Sequence, residues 1–304
     1  GTGGMYLLQT VTAVYLRLLG HEISNGGFVL DVNETPDPEE FEDAYMRYAN
    51  ARVCPPRPAE KTYRVRGTQE PFYTLNVIDG IMSVSAVQKV AKQYQASITE
   101  YLNAVLLYSL LQKQEHDFHL RLRPVRIAMP VNLRRFFPSK TLRNFITMVY
   151  PSIDPRLGDY TFEEIVTQVH HYMRYYINSK FLRGDITTNA STQRNPLIRI
   201  VPLFLKDFVV RQFYQRVQDK NSSAGLTNMG AIRVPDDMKP YLERFDIYMG
   251  IPYSQRTNCA IVSFEDTLTV NFASCIIEAD VERRFFQKLV EDGIPVTIES
   301  NREL

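Results

Sequence analysis

With 304 residues the chain has room for one large domain or two ordinary ones, and 44% apolar against 23% charged residues is the balance of a globular protein with a core. Its 35 Lys and Arg against 34 Asp and Glu leave a net charge of +1, without the basic footprint of a nucleic-acid or anionic-membrane binder. Cys54, Cys259 and Cys275 stand far apart in no metal-ligand spacing, no apolar run is long enough to span a bilayer, and no signal-peptide pattern opens the chain. These features point to a reducing, cytoplasmic setting with buried, inert thiols.

The first residues, Gly1-Thr2-Gly3-Gly4, lead straight into apolar positions at Tyr6, Leu7, Val11, Val14, Leu18 and Leu19. This spacing predicts a helix over 5–19 that ends at Gly20. Four small residues entering a helix read as the middle of a motif. Residues 31–71 read as a linker: acidic from Asp31 to Asp43, broken by Pro36 and Pro38, rigid and extended at Cys54-Pro55-Pro56-Arg57-Pro58, with one short helix near 41–49. A strand is predicted over 72–78. A helix follows to about Tyr94, capped by Ser83 or Ser85. Ser97-Ile98-Thr99-Glu100 is a capping box opening a helix apolar nearly all round, and so buried.

Val125, Ile127, Met129 and Val131 alternate as a strand, and 144–153 reads as another. Thr161 to Glu164 is a second capping box. Its helix presents Phe162, Ile165, Val166, Val169, Tyr172, Met173 and Tyr176 on one face. Asn195 with Pro196 opens a further helix, bent at Pro202. The last third predicts strands over 223–232, 245–250, 259–264 and 268–273, the last two joined by a tight turn at Glu265-Asp266. A helix over 280–291, capped by Asp280 and stopped by Gly293, precedes a strand over 296–299. Helices and strands that mix without strict alternation argue for one α+β sandwich from about residue 72 onward.

Few residues suggest chemistry. His170 and His171 are neighbours on a helix and point about 100° apart, so they cannot serve one metal or one substrate; a structural role fits both. His21, His116 and His119 fall in polar turns or at helix ends and read as surface. The glycines before the first helix match neither a Walker loop nor a dinucleotide fingerprint; close backbone approach explains them better than a phosphate. No triad, zinc set or paired carboxylates stand out. Read from the residues alone, the chain is an α+β domain of unassigned activity.

Three stretches in order carry a resemblance. Gly1-Thr2-Gly3-Gly4-Met5-Tyr6 resembles the tail of the HHxxxDG motif of the chloramphenicol-acetyltransferase-like superfamily, which includes nonribosomal peptide condensation domains and alcohol acetyltransferases. Arg126-Ile127-Ala128-Met129-Pro130-Val131-Asn132-Leu133-Arg134, continued by Thr141-Leu142-Arg143-Asn144-Phe145, is similar to the "pvnlR … gNf" strand-loop-strand. Leu226-Thr227-Asn228-Met229-Gly230, with the hairpin ending Val270-Asn271-Phe272-Ala273-Ser274, resembles the latch and floor-loop region. The subfamily most resembled is the bacterial alcohol acetyltransferases.

The resemblance implies a two-layer α+β sandwich: a mixed, largely antiparallel sheet with helices on one face, plus an N-terminal helix and a linker. Residues 1–30 would be a remnant of the N-terminal acyltransferase half, 31–71 the linker, and 72–304 the C-terminal half. The family's catalytic His and structural Asp would precede Gly1, so Gly1, Thr2 and Gly3 are a motif remnant and the chain by itself is expected to be inactive. Asn144, Thr227, Asn228, Gly230 and Ser274 are the implied substrate contacts. Turn capping fits the two asparagines equally well, bracing of the loop suits Asn132 and Arg134, and a bulge or close approach suits Gly230. The implied reaction is direct transfer from acyl-CoA (acetyl-CoA), as co-substrate with no permanently bound cofactor, to a small alcohol or amine. A carrier-protein thioester in place of CoA, or a non-catalytic docking module, are the alternatives. An apolar face left for the missing half or a second copy is also expected.

Overall fold

A computed structural model of the chain describes residues 1–52, 60–71, 74–117, 121–194, 221–252 and 255–302. Within them, helices α1 (Thr2–Leu18), α2 (Ala44–Tyr48), α3 (Val84–Gln93), α4 (Ile98–His116), α5 (Phe162–Tyr176), α6 (Ser179–Arg194) and α7 (Asp280–Glu291) surround one sheet. Its strands are β1 (Asn76–Ser83), β2 (Val125–Asn132), β3 (Ile146–Val149), β4 (Ser152–Ile153), β5 (Ala224–Ala231), β6 (Thr257–Phe264), β7 (Thr267–Ser274) and β8 (Thr297–Ser300). They run in the order β3-β2-β5-β6-β7-β1-β8, with β4 also paired to β2. Only β2–β5 and β5–β6 are parallel, so the sheet is mixed and largely antiparallel, as the resemblance implied.

The strand period of two divides the sheet's residues between two cores. Leu226, Cys259, Ile261, Leu268, Val270 and Phe272 join the main core with α3, α4, α5 and α7. Val262 and Phe264 point the other way and pack with Ala13 and Leu16 of α1, Ile23, Val29 and Phe245. Thus helices layer one face, while α1 and irregular segments cover part of the other. Buried Cys259 and partly buried Cys275 are free thiols.

The local signals are realised where they were strongest. Both capping boxes form reciprocally at α4 and α5. Ser83 caps α3, donated to by the Ala86 amide at 3.2 Å. At the end of α1, Gly20 takes φ +92 while the His21 amide donates to the Leu16 carbonyl and Gly20's to that of Arg17, a Schellman stop. Glu265, at φ 50, forms the β6–β7 turn.

Other expectations need correction. Residues 245–250 do not form a strand; they cover the second face through side chains, the Ile247 amide donating to Asn271 Oδ1 and the Phe245 carbonyl accepting from Thr269. The stretch 144–153 divides into β3 and β4. Asp280 is the first residue of α7 rather than its cap, which is Ala279 with no side-chain bond. The first strand lies at 76–83, later than predicted. Helix α6 was not anticipated: Leu182, Ile186 and Ala190 repeat every four residues, yet Gly184, Thr187, Thr188 and Asn189 are weak helix formers, so packing rather than propensity holds it. Phe72, Cys54 and the proline run, His119, and the helix expected at Asn195, Pro196 and Pro202 lie outside the described residues.

Candidate functional site

The N-terminus of α1, the loop after β2 and the second half of β5 come together. Gly1 is the N-cap of α1, its carbonyl accepting from the Met5 amide at 3.0 Å. Thr2 and Gly3 form the first turn, whose amides have no partner within the helix and place a positive dipole end there. Gly3 lies so close to the Leu142 carbonyl oxygen that a Cβ would collide with it, whereas Gly4 faces open space. From its other turns α1 reaches the segment after β5: Gln9 Nε2 donates to the Arg233 carbonyl at 2.6 Å.

The loop after β2 is held by Arg134. Its guanidinium donates to the Thr141 carbonyl at 3.1 and 2.7 Å and to the Arg143 carbonyl at 2.6 Å, and lies 5.9 Å from the Phe145 ring centroid. Burial lowers its pKa from the ordinary guanidinium value, partly offset by the nearby Tyr45 and Tyr6. Asn132 Oδ1 accepts from the Arg134 amide at 3.1 Å. Both residues therefore brace this loop, the role expected for them. Thr141 donates to the Glu42 carbonyl and Leu142 to that of Glu40, so residues 40–42 back the loop.

On β5, Asn228 points to the helix side and donates to Thr99 Oγ1 at 2.8 Å. Its Oδ1 accepts from the Gly230 amide at 2.8 Å. Gly230 adopts φ +74, and the β5–β6 register shifts between Asn228 and Ala231. The bulge expected at this glycine is present. One helical turn into α4, Asn103 Nδ2 donates to the Thr99 carbonyl while its buried Oδ1 has no partner among the described residues.

Among the residues implied as substrate contacts, Asn228 and Gly230 sit together on the bulge and Thr227 beside them on the opposite face. Asn144 is exposed in the loop next to Arg143. Ser274 does not join them. It pairs with Thr257 at the start of β6, whereas Asn228 pairs with Ile261, so about four residues, or roughly 13 Å, of strand separate the two.

The Asn228–Thr99 and Gly3–Leu142 contacts, and the link from α1 to Arg233, were not legible in the sequence, because each joins distant segments with no local pattern between them. The same holds for a buried polar group on the second face. There Asp79 accepts from Asn271 at 2.8 Å and from Tyr248 at 2.9 Å, and burial pushes its carboxyl above the ordinary range.

Described histidines stand elsewhere: His21 stacks on Tyr241, His116 Nδ1 contacts the Gln112 carbonyl, and His170 Nδ1 lies 3.3 Å from Glu100. Among the described residues no group could hold a metal ion, and no helix is long and apolar enough to cross a membrane.

No family model and no curated protein matches the sequence. Solved structures do. A nonribosomal peptide synthetase, FmoA3, shares 11% identity at a TM-score of 0.51 over 77% of this chain and 23% of its own. The chain shares the fold of part of that synthetase. A structure concerned with condensation domain-mediated chain release from the enacyloxin polyketide synthase shares 12% identity at a TM-score of 0.45, over 74% of this chain and 42% of its own. The trichothecene 15-O-acetyltransferase of Fusarium sporotrichioides shares 16% identity at 0.47, over 86% and 54%. The chain spans less than two thirds of each of these structures.

Proposed function

We propose that this chain is part of an acyltransferase that passes an acyl group from acyl-CoA directly to the hydroxyl of a small alcohol, where α1 meets the loop after β2 and the β5 bulge. The observation that carries the reading is the seating of Gly3 against the Leu142 carbonyl, which packs the stretch resembling the HHxxxDG tail onto the stretch resembling the second motif. A histidine preceding Gly1 would stand at this junction. It takes the hydroxyl proton as the oxygen attacks the thioester carbon, then returns it to the departing thiolate as the carbon–sulfur bond breaks. Such general-base help is worth about 10²–10⁴-fold. In this reading the amides of the α1 first turn would favour the developing oxyanion, a contribution of about 10²–10³-fold for one donor. Asn144, Thr227, Asn228 and Gly230 are the candidate substrate contacts; a ligand that also reached Ser274 would have to run along the strands.

In this reading residues 1–30 belong to one acyltransferase half, 31–71 connect, and 72–304 form the second half. The outward face of α1 supports it. Leu7, Val11, Tyr15 and Leu18 are 65%, 57%, 59% and 81% exposed, although Ala13 and Leu16 of the same helix are buried. A helix apolar on both sides asks for cover on both, by the first half or by a second copy.

The test is thiol release from acetyl-CoA across a panel of alcohols, comparing the intact protein with a variant of the histidine preceding Gly1. Release that depends on that histidine supports the reading; its absence across the panel, or the absence of such a histidine, favours a non-catalytic docking module.

A further inference from the structure

The 3-10 turn that follows β2, Leu133–Arg135, is seated by the residues around it. Leu133 and Phe137 are buried, and the Phe136 and Phe137 amides both donate to the Leu133 carbonyl, at 2.9 and 2.8 Å. Arg134 holds the loop on which Gly3 rests. Arg135 therefore springs from a fixed base beside the α1 junction, and its side chain is exposed. The other cations of this loop are committed. Arg134 bonds the carbonyls of Thr141 and Arg143, and Arg143 Nη1 donates to the Phe41 carbonyl at 3.3 Å. Lys140 pairs with Asp37 at 2.8 Å and stands 3.9 Å from Glu39, and Glu40 acts on the same ammonium. Glu42 is taken by Arg47 at 3.1 Å. Arg135 has no hydrogen bond, ion pair or ring contact among the described residues.

Its guanidinium ends over the β5 bulge. Gly230 takes φ +74, a conformation that favours glycine, and so sends no side chain into the space above it. Chain neighbours aside, the only heavy atom of the described residues within 4 Å of where a Cβ on Gly230 would stand is Arg135 Nη2, at 3.8 Å. An oxygen seated there would have to shift by only about 1 Å to make a charge-assisted hydrogen bond to the guanidinium. The polar groups gathered nearby, Thr2, Asn144, Thr227 and Asn228, are neutral, so one charge faces this space. A single planar fork matches a carboxylate, which is a planar monoanion, and would leave half the charge of a phosphate dianion unbalanced. Position narrows the choice further. A group beside the reacting junction meets the acceptor, whereas the phosphates of an acyl-CoA lie at the far end of its pantetheine arm from the thioester.

We propose that the acceptor is a hydroxy acid, and that Arg135 selects it by holding its carboxylate over the β5 bulge at Gly230; the assignment of the ligand as an acceptor rests on the acyl-transfer reading. The carboxylate takes no part in the bond changes. The hydroxyl oxygen of the same molecule bonds to the thioester carbon, the carbon–sulfur bond breaks, and the hydroxyl proton leaves with the thiol, so the product is an O-acylated acid. Arg135 is thus a specificity residue: a site that binds a charge through one committed group discriminates against the analogue without it.

The experiment follows thiol release from acetyl-CoA by the intact protein with lactate, 3-hydroxybutyrate and mandelate, each beside its methyl ester, which keeps the hydroxyl and removes the charge. Wild type is compared with Arg135→Gln and Arg135→Lys; the side chain is exposed and unpaired, so equal melting temperatures are expected. Calorimetry with 3-hydroxybutyrate, without donor, reads binding apart from turnover. The expected result is a kcat/KM for at least one acid about tenfold or more above that for its ester, a ratio that collapses toward one in Arg135→Gln and is partly kept in Arg135→Lys, with the change in the KM of the acid rather than of acetyl-CoA. Equal use of acids and esters by wild type, an undiminished preference in Arg135→Gln, or a change confined to the KM of acetyl-CoA would each overturn the assignment. Thiol release with neutral alcohols and none with the acids overturns it and leaves the acyltransferase reading standing. Binding of 3-hydroxybutyrate that Arg135→Gln abolishes, with no thiol release by wild type on any acceptor, supports the carboxylate site and overturns that reading; neither binding nor release overturns both.

Discussion

Arg134 Nη2 donates to the carbonyl oxygen of Thr141 at 2.7 Å, and through that bond the end of β2 holds the loop on which α1 rests. The same guanidinium reaches the Arg143 carbonyl, so one planar fork fixes two turns of an irregular segment. Arg134→Ala is expected to destabilise the protein by about 2–3 kcal/mol, since hydrogen bonds from a charged donor contribute about 1.5–3 kcal/mol. Arg134→Lys recovers little of it, because an ammonium on a flexible stem cannot span both carbonyls. Denaturant titration of the three proteins checks this; full recovery by lysine would show that charge rather than fork geometry matters.

Gly3 and Gly4 are adjacent and answer differently to alanine. At Gly3 the new methyl meets the Leu142 carbonyl, a backbone group with no rotamer to yield, and a loss of about 1–3 kcal/mol is expected. At Gly4 the methyl meets open space inside a helix, and a gain of about 0.4–1 kcal/mol is expected. Thermal melts of the two variants should move in opposite directions.

Glu282 is buried and accepts from Thr257 Oγ1 at 2.6 Å. Burial raises its pKa, outweighing the Thr257 hydroxyl and the more distant Arg302. Between the ordinary carboxyl pKa and this raised value, the folded protein holds a proton that the unfolded chain releases, so stability falls as pH rises through that window. Glu282→Gln keeps an oxygen acceptor for Thr257 and removes the titration. It should melt higher than wild type at pH 8, with the difference closing toward pH 4. A difference independent of pH would show that Glu282 is not the group responsible.

Ser97 accepts from the Glu100 amide while Glu100 accepts from that of Ser97, at 3.3 and 2.7 Å. Removing the hydroxyl in Ser97→Ala leaves a first-turn donor of α4 unsatisfied and should cost about 0.5–2 kcal/mol. Because Thr99 in this turn supports Asn228, hydrogen exchange at the β5 bulge should quicken as well.

Helix starts and stops were legible because their determinants lie within four residues: the serine and glutamate of α4, the threonine and glutamate of α5, the glycine after α1. The strand at 125–132 was legible for the same reason, its apolar residues alternating along one face. Residues 245–250 misled because their alternation is real, yet the bonds go to side chains of β7 rather than to a neighbouring strand. The candidate site was half legible. Its motif stretches could be recognised one by one, but nothing local to them reports that Gly3 rests on Leu142 or that Ser274 stands at the other end of the sheet.

By itself, then, the sequence determined most of the elements, the capping boxes of α4 and α5 and the glycine stop of α1, the α+β class, and the resemblance that brings acyl transfer into view. These depend on short-range hydrogen bonding and on periods of two and 3.6 residues. Only the tertiary structure decided which strands neighbour one another, which side of α1 is covered, and how far Ser274 stands from Asn228. Such contacts are chosen by the burial of whole faces, a property of the assembled sheet that no stretch of the chain carries alone.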